Sequence, residues 1–245
     1  MKGRFFYTAG YTAATACAVR RLQDAGISFL SAPEDTVTHL LLPVPSLNTD
    51  GSIKGGGDLD RLLHQLPQGV SIFGGNLPEL PNYRVYDLLK TPVYVAENAY
   101  ITAHCAVRLA MEKLPFALRD CSVLVIGWGR IGKCLAALLK GLEAKVTVAA
   151  RKEADRAMLN ALGYRTADTG NIDPTGFRII FNTVPVMVLP EAPSDCLKID
   201  LASQPGIGGA DVLHARGLPG RDAPEASGEL IARTILHFLS KEADK

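Results

Sequence analysis

Between Ser122 and Arg151 the chain carries, in order, every part of a nucleotide-binding strand–helix–strand unit. Ser122-Val-Leu-Val-Ile126 is a short, β-branched apolar run suited to a buried parallel strand. It opens directly into Gly127-Trp128-Gly129-Arg130-Ile131-Gly132, the G-x-G-x-x-G spacing. The first glycine permits a tight turn, the second lets backbone approach a pyrophosphate, and the third lets the next helix pack closely. Lys133 to Lys140 is made of strong helix formers with an apolar face, and Lys145-Val-Thr-Val-Ala-Ala150 reads as the second strand. A glycine turn alone is weak evidence. The whole series predicts a bound dinucleotide, against the alternative of a purely structural turn.

The tip of the second strand bears on which dinucleotide. Sites for NAD place Asp or Glu there to accept from the ribose 2′-hydroxyl. Here the residues are Ala150-Arg151-Lys152, with no carboxylate and two cations. A guanidinium grips a phosphate through a planar fork, so NADP(H) is expected. The alternative is that Arg151 and Lys152 merely begin a solvated helix continued by Glu153 and Asp155.

At 245 residues the chain can hold one large or two modest domains. A net charge of +1 without any Lys/Arg block argues against a nucleic-acid surface. Five scattered cysteines without a C-x-x-C pair read as reduced packing residues. With no signal-peptide pattern and no bilayer-length apolar stretch, a cytoplasmic protein without membrane contact is expected. The five histidines lie in different elements without ligand spacing, so no metal site is expected; nor is there a serine-nucleophile elbow or Walker lysine.

Strand-like and helix-like segments alternate throughout, which predicts a doubly wound parallel α/β architecture: a Rossmann domain with a smaller flavodoxin-like N-terminal domain. In the first part, strands are read at Arg4–Tyr7, Ile27–Leu30, His39–Leu42 and Val70–Phe73, and a helix from Ala13 to Ala25. Pro43 to Ser52 and Gly55–Gly57 form turn-rich loops, and Val93–Ala96 closes the small domain. Thr102 then caps a long helix whose buried face is Ala103, Ala106, Val107, Ala110, Met111 and Leu114. After Arg151 come a helix (Ala154 to Leu162) and strands at Arg178–Asn182 and Leu197–Asp200. A loop through Gly217 to Pro224 precedes a C-terminal helix with Leu230, Ile231, Thr234, Ile235, Phe238 and Leu239 on one side. The boundaries expected are 1–97 for the substrate-side domain, 98–224 for the NADP-binding domain, and 225–245 for a helix packing back on the first.

Asn182, Thr183, Val184 and Pro185 follow a strand at its carboxyl end, where an amide and backbone groups can face the nicotinamide ribose. Pro205-Gly206 and Pro219-Gly220 read as rigid turns with amides pointing outward, a carboxylate nest to which Ser203 adds a hydroxyl. Each is equally expected as loop punctuation. His104 and Arg108, four residues apart on one helix face, are the catalytic candidates: Arg108 to pair a substrate carboxylate, His104 to shuttle a proton. A solvated face is the alternative.

Asn182–Pro185, Asp200-Leu-Ala-Ser-Gln-Pro-Gly206, Gly217-Leu-Pro-Gly220 with Ala223-Pro224 and Gly228, together with Gly127–Gly132 and Ala150-Arg151, resemble the A-subunit family of dipicolinate synthase. The likeness runs from Asn98 to Leu239, and Leu42-Pro-Val44 with its glycine-rich loop is similar to that family's first domain. The chain reads as a diverged, shortened member. The resemblance implies NADP-linked oxidation of dihydrodipicolinate to dipicolinate, a spore metabolite, with a flavoprotein-like B-subunit as partner. A small dicarboxylate substrate is expected near Asn98, Thr102, Ser203, Pro205, Gly206, Pro219 and Gly220, and the assembly is expected to be a homo-oligomer. The family opens with a glycine-rich turn carrying Asp and Arg, where this chain has Tyr7 to Thr12; its Thr-Ala-Glu-Gly is Thr102-Ala-His104-Cys105 here. Those departures keep two alternatives open: a non-catalytic NADP(H)-binding subunit or sensor, and a dehydrogenase of another small carboxylic acid.

Overall fold

The computed structural model describes residues 4–209 and 211–243. In chain order the first elements are β1 (Phe5–Thr8), α1 (Ala13–Asp24), β2 (Ser28–Phe29), β3 (His39–Leu41), α2 (Leu59–Leu63), β4 (Ser71–Gly74) and β5 (Arg84–Asp87). A short 3-10 turn at Leu88–Lys90 leads into α3 (Pro92–Lys113), β6 (Ser122–Ile126), α4 (Arg130–Gly141) and β7 (Lys145–Ala149). Then come α5 (Glu153–Ala161), β8 (Arg165–Ala167), β9 (Ile179–Asn182), β10 (Leu197–Asp200) and β11 (Leu213–His214). Two helices, α6 (Leu218–Asp222) and α7 (Pro224–Ala243), end the chain.

The chain forms two compact units: Met1–Asn98 with Pro219–Lys245, and Ala99–Leu218. In the first, five parallel strands lie in the order β2-β1-β3-β4-β5. That is the flavodoxin-like order, whose switch point falls between β1 and β3. Leu40 and Ile72 from this sheet, with Leu42 just past β3, pack with Leu59, Leu62 and Leu63 of α2, all buried. Thr12 caps α1 by accepting the Thr15 amide at 3.1 Å. Ala14, Cys17, Ala18 and Leu22 make the buried stripe of α1 at helical spacing. Helix α7 lies against α1, and the crossing is so close that a Cβ on Gly228 would stand 2.4 Å from the Cys17 Cβ. Leu230, Ile231, Ile235 and Leu239 bury the same helix. At its far end Glu242 meets Arg84 at 3.3 Å and also accepts from Tyr86.

The second unit is a six-stranded parallel sheet in the order β8-β7-β6-β9-β10-β11. Numbered within the unit this is 3-2-1-4-5-6, the doubly wound dinucleotide-binding order. Val123, Leu124, Val125 and Ile126 of β6 are fully buried, as befits a central parallel strand covered on both faces.

Local sequence reading errs at several places. Val93–Ala96 is helical, and Thr102 lies well inside α3, not at its cap. Pro92 explains the earlier start: a first-turn residue needs no amide donor and proline presets its φ. Met111 is 55% exposed and so leaves the expected buried face. The short strands β5 and β8 escape the apolar-run criterion because they sit at sheet edges with only intermediate or exposed residues. Finally, Pro219-Gly220 is helical, within α6, and forms no outward turn.

Candidate functional site

The carboxyl ends of four strands in the second unit come level. In register, Ala149 pairs with Ile126, Ile126 with Asn182, and Asn182 with Asp200. The switch point lies between β6 and β9, where open α/β sheets bind ligands. The glycine turn leaves β6 at this point.

Each glycine there has a different reason. Gly127 has φ +106°, and a Cβ on it would stand 2.4 Å from the Thr183 Oγ1. A Cβ on Gly132 would stand 2.1 Å from the Gly127 carbonyl oxygen, so only glycine lets α4 approach β6 so closely. Gly129 is the opposite case. It is exposed, nothing lies within 4 Å of where its Cβ would be, and no side chain caps α4 there. The first amides of this 12-residue helix thus have no side-chain cap beside an exposed, uncrowded glycine, an arrangement suited to an anion such as a pyrophosphate. Arg130 is exposed beside them and Ile131 half-buried. Trp128 packs edge-on to Tyr164 with centroids 6.0 Å apart, and Lys133 lies 5.7 Å from its ring.

At the tip of β7, Ala150 is buried while Arg151 and Lys152 are exposed. Among the described residues no group hydrogen-bonds or ion-pairs with either cationic side chain. Arg156 holds the loop from below, its Nη1 donating to the carbonyls of Ala150 at 2.8 Å and Arg151 at 2.9 Å.

On the other side of the switch point the chain is cross-tied by hydrogen bonds. Thr183 donates through Oγ1 to the Ile126 carbonyl at 2.9 Å, tying its loop to the glycine turn. Asn182 is completely buried; its Nδ2 donates to Val184 O at 2.9 Å and to Asp200 Oδ1 at 2.8 Å, and its Oδ1 accepts the Val184 amide at 3.0 Å. Asp200 also accepts the Ala202 amide at 3.0 Å, Gly206 at 2.7 Å and Ile207 at 3.3 Å. This corrects two expectations. The Asn182 amide shapes its own loop instead of facing outward, and the Gly206 amide points inward to Asp200, so Pro205-Gly206 is no anion nest. A Cβ at Gly206 would stand 2.3 Å from the Asn182 Nδ2. Of the remaining residues here, Val184 is half-buried, while Pro185, Ser203 and Pro205 are exposed.

His104 and Arg108 share a face, as expected from their spacing, but it opens onto a groove of about 810 Å³ between α3 and α4. Tyr100, Met111, Leu138 and Leu142 give that groove an apolar lining, and Arg108 pairs with Glu112 at 3.3 Å. None of the residues at the strand tips lines it. Thr102 is buried in α3; Asn98, Pro219 and Gly220 belong to the first unit. Sequence reading missed Asp200 and Arg156. A carboxylate ending an apolar strand was the available signal for Asp200, whereas Arg156 looks like any helix-surface cation.

Among the described residues no three His, Cys, Asp or Glu side chains gather as metal ligands, and no helix is long and apolar enough to cross a membrane.

No family model matches the chain. It is 24% identical over 260 residues to the dipicolinate synthase A-subunit of Bacillus subtilis, covering 95% of this chain and 84% of that protein. The fold is shared with the dipicolinate synthase A-subunit from Bacillus halodurans, at a TM-score of 0.82 and 22% identity over 98% of both chains. A transhydrogenase from Sinorhizobium meliloti has a more distant likeness, with a TM-score of 0.66 and 12% identity over 98% of this chain and 94% of that one. The resemblance carried by the loop motifs thus extends along nearly the whole sequence, and the chain is a homologue of the dipicolinate synthase A-subunit.

Proposed function

We propose that this chain is an NADP-dependent oxidoreductase of the cytoplasm that converts dihydrodipicolinate to dipicolinate during sporulation, together with a B-subunit. One observation carries the reading: an uncapped helix start opens at the switch point beside two exposed cations, Arg151 and Lys152. The residues present fit a dinucleotide, since Gly129 leaves room for a pyrophosphate and no acid stands at the tip of β7. When bound, the nicotinamide would accept the hydride that the dihydropyridine loses, with one proton released as the ring becomes aromatic.

The chain's own part is placement. Amides at the start of α4 hold the diphosphate, Arg151 and Lys152 hold the 2′-phosphate, and Asn182 with Asp200 keep the loop from Thr183 to Pro185 stiff. Because aromatisation drives the reaction, no strong base is required, and both Asn182 and Asp200 are already engaged.

The same engagement of Asn182 and Asp200 favours a second reading, a protein that binds NADP(H) without turnover. Trp128 is the sole tryptophan and lies in the glycine turn, so its fluorescence reports binding. NADPH should quench it more strongly than NADH. Equal quenching would remove the NADP assignment, and no quenching the dinucleotide itself. Incubation with NADP⁺ and dihydrodipicolinate, with and without a B-subunit, then separates catalyst from sensor by formation of dipicolinate.

A further inference from the structure

The strand beside the β7 tip ends in an acid. Ala149 pairs with Ala167 in register, and the Ala150 amide donates to the Ala167 carbonyl at 3.0 Å. Asp168 therefore leaves the neighbouring strand alongside Ala150 and Arg151. One of its oxygens accepts the Gly170 amide at 2.9 Å, and the other lies 2.9 Å from the Arg156 Nη1. The Asp168 side chain is 47% exposed and lies next to the tip of β7, the strand end at which a ribose 2′-substituent is read in this fold, whereas Arg156 is only 22% exposed. Glu153 and Asp155 add negative charge in the first turn of α5, but the ion pair of Arg156 is with Asp168.

We propose that Arg156 is a positioning residue that sets the choice between NADP and NAD. Its guanidinium neutralises Asp168, a carboxylate placed to accept from a 2′-hydroxyl and to repel a 2′-phosphate. The same nitrogen grips the Ala150 and Arg151 carbonyls and so keeps Arg151 at the strand tip. Cofactor preference is then decided by the Arg156–Asp168 pair, and Arg151 acts only in that setting. The inference rests on the dinucleotide reading above.

Titration of Trp128 fluorescence with NADPH and NADH at low salt tests it, each variant first shown by thermal melting to be folded. Arg156→Gln should lower the NADPH-to-NADH affinity ratio by about tenfold, because an unpaired Asp168 then faces the phosphate. Asp168→Asn, a milder change at a half-exposed site, should raise the ratio by about threefold by releasing a cation. The double variant should fall between the two, and high salt should shrink all three effects. A purely structural Arg156 would weaken both dinucleotides equally; an unchanged ratio in Arg156→Gln or in Asp168→Asn overturns the proposal while the dinucleotide reading stands. Wild-type protein that binds neither nucleotide overturns both.

Discussion

The two sheets offer the same topological position twice, and the chain treats the two differently. In each unit a strand at the switch point turns through glycine into a helix. After β1 the turn is filled by the chain itself: a Cβ on Gly10 would stand 2.3 Å from the Lys54 carbonyl oxygen, and one on Gly55 would stand 2.1 Å from the Tyr11 backbone. The Tyr11 amide donates to Lys54 O at 3.1 Å, and Thr12 caps α1. After β6 the corresponding space at Gly129 is empty and α4 has no side-chain cap. Strand order therefore designates a location for a ligand, but the availability of unpaired backbone donors decides whether an anion can be held there.

That contrast can be broken most forcefully at the two close-packed glycines. Gly132→Ala forces its Cβ against the Gly127 carbonyl and should cost about 2–3 kcal/mol in denaturant unfolding. It should abolish Trp128 quenching by NADPH as well. Gly10→Ala meets a comparable obstruction at a φ of +76° and should destabilise by a similar amount. Its folded fraction should still bind NADPH with wild-type affinity; a parallel loss of binding would erase the distinction between the two turns.

Gly129→Asp sharpens the comparison from the other direction. It introduces no clash, so melting should move little, yet a carboxylate at the helix start should weaken NADPH by about a hundredfold. Retention of affinity would mean that the pyrophosphate is not held there. Thr12→Ala is a smaller perturbation. Loss of the α1 cap should cost about 1 kcal/mol in urea unfolding, with dinucleotide affinity unchanged.

The smallest effect concerns pH. Burial lowers the pKa of His39, which stacks on Phe6 at 4.6 Å, and the Glu242 carboxylate 3.7 Å away only partly opposes this. Because the neutral imidazole suits the fold, the unfolded chain takes up the proton first. The melting temperature should decline modestly as pH falls below about 6.5, the ordinary histidine value, and level off once the folded protein is protonated as well. His39→Gln should flatten that decline, and Trp128 quenching should show no matching step. A matching step would link the two units and contradict the expectation that their glycine turns act independently.

Much of the site was legible because its parts are contiguous. A β-branched run, three glycines at fixed spacing and a following helix are properties of one short segment, as is the change from Ala149 and Ala150 to Arg151 and Lys152 at a strand end. The Asn182–Asp200 network was not legible. Its residues are brought together by pairing of β9 with β10, and nothing local distinguishes an amide that faces a ligand from one spent on its own loop. Val93–Ala96 shows the same limit: its β-branched composition favours a strand, but Pro92 and the continuing helix outweigh it.

The order of segments, the glycine turn and the cations after β7 are consequences of covalent neighbours, since backbone geometry and hydrophobic period act over a few residues. Which amides remain open and which polar groups are already paired depended on the tertiary fold. Hydrogen-bonding capacity is consumed by whichever partner folding brings near, and for Thr183, Asp200 and Arg156 that partner comes from another element.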